Sequence, residues 1–289
     1  GYYCVMGPDE FQMMVHHNAY TNFMGKKTLI FALETLGAME HEAPDAYAAL
    51  GVTPEELADW QEKADRMYLP YDENTKLFEQ HMGYFHLPHV DINAIPPEQF
   101  PLYSHWSYER IYRNDMVKQP DVLMFFLLYG SEFTREQLEA NFDFYEPRCI
   151  HESSLSPSIH SILACRLGRL AKAESLFDFA TRMDLDNYNR NTCEGLHTTS
   201  IAGAWMNIVC GFGGLRTDAA TLTLAPSIPK GWTGYSFRVC TGGSILKVTV
   251  DQHSVKLQLL QGSGIRAVLY GKEINIDAVP AVFAMEEAQ

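Results

Sequence analysis

Three stretches concentrate side chains capable of acid or anion chemistry, and the first is Gly7-Pro8-Asp9-Glu10. Its last carboxyl reads in two ways. Pro followed by two acids, ahead of helix-forming residues, is an ordinary helix start: Pro tolerates the first turn and negative charge complements the dipole. A general acid also needs a carboxyl, with its pKa raised by burial or by neighbouring negative charge. Local residues leave both readings open. The other two stretches are Glu146-Pro147-Arg148-Cys149-Ile150-His151-Glu152-Ser153-Ser154-Leu155-Ser156-Pro157 and the segment from Asn187 to Ser200, which includes Arg190, Glu194, His197, Thr198 and Thr199. Each gathers hydroxyls, a His and an Arg at the start of a helix, as an oxyanion site would. Ser and Thr also cap helices, but two such loops in one helical region point to a shared polar pocket.

Other chemistries find little support. His16-His17 and the group His81, His86 and His89 lack HExxH or comparable ligand spacing, so no metal site is expected. GxGxxG, GxxxxGK[ST] and GxSxG are all missing. Against 36 acidic residues stand only 22 Lys and Arg, a net charge of -14. That balance argues against nucleic acid or an anionic membrane as a partner. The six scattered cysteines form no CxxC pair and read as reduced thiols. The longest apolar run, 122–128, is far too short to span a bilayer, and no signal peptide is evident, so the expected location is the cytoplasm.

The elements that must position these residues fall into two regions. Up to about residue 215 the apolar spacing predicts helices at 18–39, 54–68, 106–112, 121–129, 134–144, 156–167, 170–183 and 199–212. Short links at 130–133 and 168–169 favour antiparallel helical hairpins. From Leu222 onward, period-two alternation broken by glycines predicts a meander of antiparallel strands, a small β-sandwich or half of one. The cluster Gly211 to Gly214 is expected to act as a helix C-cap and hinge between the regions. The long stretch from Leu69 to His105, punctuated by prolines, is expected to be a functional loop.

GPDEFQMMVHHNAYTN, YRNDMVKQPDVL, FYEPRCIHESSLSPSIHS, ATRMDLDNYNRNTCEGLHTTSIAGAW and GFGGLR, in that order, closely resemble the catalytic-domain motifs of glycoside hydrolase family 65. The resemblance runs over nearly the whole chain. It implies a mainly α region followed by β: residues 1–216 as the C-terminal half of an (α/α)6 barrel and 217–289 as an antiparallel β-sandwich. It also implies that the chain is the C-terminal part of a longer protein, acting as a homodimer or with a complementing N-terminal fragment. By the same resemblance Glu10 is the general acid and Lys118-Gln119 bind the non-reducing glucose. His197, Thr199 and Ser200 then bind phosphate, with Ser153 and Ser154 as further candidates. The implied reaction is inverting phosphorolysis of an α-linked glucose disaccharide, with inorganic phosphate as co-substrate and neither cofactor nor metal. A phosphorylase needs only the acid because phosphate is itself the nucleophile, whereas an inverting hydrolase needs a second carboxylate to activate water. Glu152 and Glu194 are the carboxylates placed for that rival α-glucosidase chemistry. A non-catalytic fragment, inactive without a partner, is the remaining alternative.

Overall fold

In a computed structural model, residues 1–188, 190–216, 218 and 221–286 are described. The expected boundary at 216/217 and the end of the 217–289 region fall beside or on residues outside that set, as does Asn189 in the second polar loop. The helices are α1 (Ala19–Glu42), α2 (Pro44–Leu50), α3 (Pro54–Asp65), α4 (Leu102–His105) and α5 (Tyr108–Tyr112). They continue as α6 (Val122–Leu128), α7 (Arg135–Tyr145), α8 (Ser156–Arg166), α9 (Leu170–Arg182) and α10 (Thr198–Met206), which runs into a π-helical turn at Asn207–Phe212.

Capping explains several boundaries. The Thr53 and Thr134 hydroxyls each accept an N–H three residues on, while Glu56 and Gln137 reach back to form capping boxes at α3 and α7. α6–α7 and α8–α9 form the two expected hairpins. Their core is aromatic: Phe23 of α1 stacks on Phe125 of α6 at 4.9 Å, with Phe78, Phe126 and Phe133 around them. Phe78 comes from the segment expected to be one long loop. That segment instead holds a two-residue hairpin, β1 (Tyr71–Asp72) with β2 (Leu77–Phe78), three 3-10 turns and α4. Elements this short leave no periodicity to read.

Beyond Phe212 come β3 (Leu222–Leu224), β4 (Gly234–Thr241), β5 (Ser244–Asp251), β6 (Ser254–Gln261), β7 (Ile265–Leu269), β8 (Lys272–Ile276) and β9 (Ala281–Ala284). They make two sheets, β3-β7-β8 and β4-β5-β6-β9. Leu224, Ala267, Leu269 and Ile276 of the first share one core with Leu246, Val248, Val250, Val255 and Leu257 of the second. A purely antiparallel meander is thus corrected at one place. β3 pairs parallel with β7, Leu222 opposite Ala267 and Leu224 opposite Leu269. The chain builds β4 to β6 in the other sheet before returning, which supplies the long crossover a parallel pair needs.

The helical and β regions are joined at the glycine cluster. Val209 of the π-helical turn is buried in the sandwich core. The Phe212 carbonyl accepts the Ser227 N–H at 2.7 Å and the Tyr235 hydroxyl at 2.7 Å. Gly214 adopts φ +59°, and a Cβ there would lie 2.3 Å from the Ala225 carbonyl oxygen. Gly214→Ala therefore combines left-handed backbone strain with a clash against main chain that cannot swing away. It should cost about 2 kcal/mol or more of unfolding free energy in urea. A neutral result would show that the junction is loose.

Candidate active site

Glu10 does not begin a helix. Residues 9–12 form a turn closed by the Gln12 N–H on the Asp9 carbonyl at 3.2 Å, and α1 starts only at Ala19, capped by the Asn18 side chain on the Thr21 N–H. The helix-start reading of GPDE is corrected: eight further residues, pinned as a loop by paired backbone bonds between Val5 and Val15, intervene. The acids instead turn towards residues 118–119, more than a hundred positions away. Glu10 Oε2 accepts from Lys118 Nζ at 2.5 Å and from Gln119 Nε2 at 2.8 Å, while Gln119 Oε1 accepts the Glu10 N–H at 3.1 Å. Gln119 thus grips both ends of the residue.

Lys118 and Gln119 are held from the other side by the first hydroxyl-rich loop. Val117 lies parallel to Cys149, its N–H on the Arg148 carbonyl at 2.8 Å and its carbonyl accepting the Ile150 N–H at 2.9 Å. This ladder sets His151, Glu152 and Ser153 just beyond the Lys118-Gln119 pair. Buried Asp115 supports it by accepting Arg148 Nε at 2.8 Å and the Val90 N–H at 3.1 Å. Glu152 is itself buried and accepts the Leu102 N–H at 2.5 Å. Tyr103, which follows, places its ring 6.0 Å from Lys118 Nζ. Tyr103 is thus an exposed aromatic beside Lys118, a feature that has no signal in the loop's sequence.

The electrostatics separate the carboxyls. Hydrogen bonds from Lys118, then Gln119, hold the Glu10 carboxyl below the usual glutamate value, against a smaller effect of partial burial. The expected upward shift is thus reversed in this arrangement, because the dominant neighbour is a cation. Asp9 behaves oppositely. Complete burial pushes it up to about 6, although the Lys118, Phe11 and Gln119 backbone and the Gln80 amide all donate to it. Asp121, also fully buried and near Asp9, is pushed up to about 7 by desolvation, and Asn18 Nδ2 donates to it at 2.9 Å. Glu152 is raised to about 7, chiefly by burial.

The phosphate candidates lie on both hydroxyl-rich loops. Ser153 is buried, its hydroxyl accepting the Leu155 N–H at 3.2 Å, and Ser154 is half-buried beside it. His197 precedes α10, its Nδ1 2.5 Å from Asp184 Oδ1 and its N–H on Asp184 Oδ2 at 2.9 Å. Thr199 is exposed, whereas the Ser200 hydroxyl is buried and donates to the Ala180 carbonyl at 2.8 Å. The structure therefore brings Glu10, Lys118 and Gln119 into direct contact. It places Ser153 and Ser154 on the adjoining loop and commits Ser200 to packing between α10 and α9. A cavity of about 290 Å³ at the helix–sandwich junction, lined by Arg166, Arg216, Cys210, Tyr270 and Glu286 among others, involves none of these residues. Among the described residues no helix is long and apolar enough to cross a membrane.

Comparison with known proteins decides the family. Residues 3–206 match the glycosyl hydrolase family 65 central catalytic domain and residues 215–276 its C-terminal domain. The chain belongs to glycosyl hydrolase family 65. It is 40% identical over 278 residues to an alpha,alpha-trehalose phosphorylase of Thermoanaerobacter brockii, covering 95% of this chain and 36% of that protein. A maltose phosphorylase of Bacillus subtilis is 40% identical over 270 residues, covering 93% of this chain and 35% of the relative. A solved structure from the human microbiome, provisionally named a kojibiose phosphorylase, superposes with TM-score 0.91 at 47% identity, covering 98% of this chain and 38% of that one. The chain thus spans little more than a third of the length of these relatives.

The buried acids have a consequence for stability. An unfolded Asp ionises near 3.8, but Asp9 and Asp121 hold their protons in the fold to about 6 and about 7. Between those values the folded state binds more protons than the unfolded, so their contribution to stability falls as pH rises from about 4 to about 7. Asp121→Asn removes one of the two. The stability difference between D121N and wild type should shift in the variant's favour by about 2 kcal/mol or more between pH 4.5 and 7.5 in urea unfolding. A difference independent of pH would contradict a proton held at Asp121.

Proposed function

We propose that the complete protein catalyses inverting phosphorolysis of an α-linked glucose disaccharide, giving β-glucose 1-phosphate and a free sugar. The observation that carries this reading is the contact of Glu10 with Lys118 and Gln119, a carboxyl set against a cation and an amide at the meeting of two loops. The phosphorylase names of relatives matched over nearly the whole chain support the reaction class. Glu10 protonates the leaving glycosidic oxygen while phosphate attacks the anomeric carbon from the opposite face, so inversion follows without a covalent intermediate. Lys118 and Gln119 hydrogen-bond the non-reducing glucose. His197, Thr199, Ser153 and Ser154 are the proposed phosphate donors, and Ser200, whose hydroxyl is bonded to the Ala180 carbonyl, is proposed to serve the phosphate site by holding the start of α10 against α9.

The depressed pKa of Glu10 fits this role through exchange of partners. An ion pair with one side chain half exposed contributes little, on the order of 0–1 kcal/mol. Sugar hydroxyls can draw Lys118 away at small cost, and the charge of bound phosphate then favours the protonated carboxyl. No metal or organic cofactor enters this scheme.

Residues 1–216 are proposed as the C-terminal half of an (α/α)6 barrel and 217–289 as the sandwich domain. Exposed Leu196, Ile201 and Trp205, around α10, form an apolar face for the rest of such a barrel to cover. The complete protein is proposed to be cytoplasmic and to act as a homodimer. The rival hydrolytic reading keeps one specific support, the buried Glu152 carboxyl on the loop next to Lys118.

Glu10→Gln in the full-length enzyme should lower kcat by about 10³-fold with KM changed only modestly. Glucose 1-phosphate should form only when phosphate is supplied. Release of free glucose at the same rate without phosphate would overturn phosphorolysis in favour of the glucosidase.

A further inference from the structure

Asp9 ties together the two segments that make the candidate site. Its Oδ1 accepts the Phe11 N–H at 3.1 Å and the Lys118 N–H at 2.9 Å, and its Oδ2 accepts Gln80 Nε2 at 2.8 Å. The first bond shapes the turn that presents Glu10. The second fastens that turn to the backbone of the residue whose ammonium meets Glu10. The third ties both to Gln80, whose carbonyl accepts the Ala19 N–H at 2.8 Å and Asn18 Nδ2 at 3.2 Å, anchoring the assembly to the start of α1. Asp9 and Gln80 are both fully buried. Close approach is required as well: a Cβ at Gly7 would lie 2.2 Å from Asp121 Oδ2 and 2.5 Å from Asn18 Nδ2.

We propose that Asp9 is a positioning residue that locks Glu10 and Lys118 in register through simultaneous bonds to the Phe11 and Lys118 backbone and to the Gln80 amide. The proposal rests on the reading of Glu10 as general acid and adds the element that fixes where that acid points. Burial of a carboxyl whose donors are neutral amides is costly, so a residue kept solely for packing would be better served by an apolar side chain. Its two oxygens, by contrast, accept all three bonds at once. Gln80 Oε1 is buried without a partner, so in D9N a flipped Gln80 amide can accept the new N–H and keep that bond, whereas D9A removes every acceptor at once. D9A thus releases both segments, and misplacement of about 1 Å at an acid costs about 10²-fold in rate.

The geometry also supplies a rescue, because D9N keeps an acceptor for the backbone donors and its N–H meets the flipped Gln80 amide. In the full-length enzyme at pH 8, D9A is expected to lower kcat about 100-fold with KM held within about threefold, and D9N should recover to within about tenfold of wild type. Q80E, which opposes two carboxylates, should fall comparably to D9A. A purely structural role would lower the active fraction, moving the thermal midpoint and expression without changing kcat per folded molecule. Wild-type kcat in D9A, or a folded D9N no better than D9A, would overturn the proposal. Should D9A not fold, Q80M removes only the Gln80 anchor and is expected to lower kcat at least about tenfold; an unchanged kcat overturns the proposal equally. E10Q measured alongside separates the two levels. If E10Q keeps wild-type turnover, the acid assignment itself fails, whereas an inactive E10Q with a fully active D9A removes only the clamp.

Discussion

A salt bridge of 2.5 Å between Lys118 Nζ and Glu10 Oε2 joins two parts of the chain 108 residues apart, and the charge of the candidate acid depends on it. The Lys side chain is 21% exposed and the Glu side chain 53%. A pair this open is screened and exchangeable, so it contributes little to folding. What it does is set the charge of Glu10. With the ammonium in place the carboxyl is held low; under the proposed function, sugar hydroxyls that draw the ammonium away would let the same carboxyl hold a proton. The weakness of the bond is therefore compatible with turnover, whereas a fully buried pair would be expensive to break.

Beneath this exposed pair lies a buried polar layer. Asp9, Gln80, Asn18 and Asp121 are almost completely buried and bonded to one another or to backbone. Burial raises the two carboxyls to about 6 and about 7, so their contribution to stability falls as pH rises. The parallel ladder between Val117 and Cys149 and the Asp115–Arg148 pair fasten the hydroxyl-rich loop to the same layer. An exposed ion pair thus rests on a buried, hydrogen-bonded polar floor, the division that the proposed acid catalysis calls for.

Much of this was legible in the sequence, and the failures have physical causes. The longer helices carried their own start signals, such as Thr53 with Glu56 and Thr134 with Gln137, and were found close to their true bounds. Strands β4 to β6 showed clear alternation because one face is buried and the other exposed. GPDE misled because Pro and acids read alike in a turn and a helix start; only the Val5–Val15 pairing, a non-local bond, distinguishes them. Glu10, Lys118 and Gln119 were singled out by family motif and meet in the fold. The roles of Gln80 and Asn18 were invisible, since an amide in a long loop carries no periodic signal and acquires meaning only from what folds against it. The direction of the Glu10 shift was missed for the same reason, as it depends on the reach of the Lys118 side chain.

The most direct measurement is the pH dependence of turnover by the full-length enzyme. Rates at low concentrations of both substrates report the acid in the free enzyme, and rates at saturation report it in the ternary complex. Partner exchange at Lys118 predicts that the loss of activity with rising pH sets in at least about one pH unit higher at saturation than at low substrate. The same midpoint under both conditions would show that binding leaves the Glu10–Lys118 pair undisturbed, and would contradict the account.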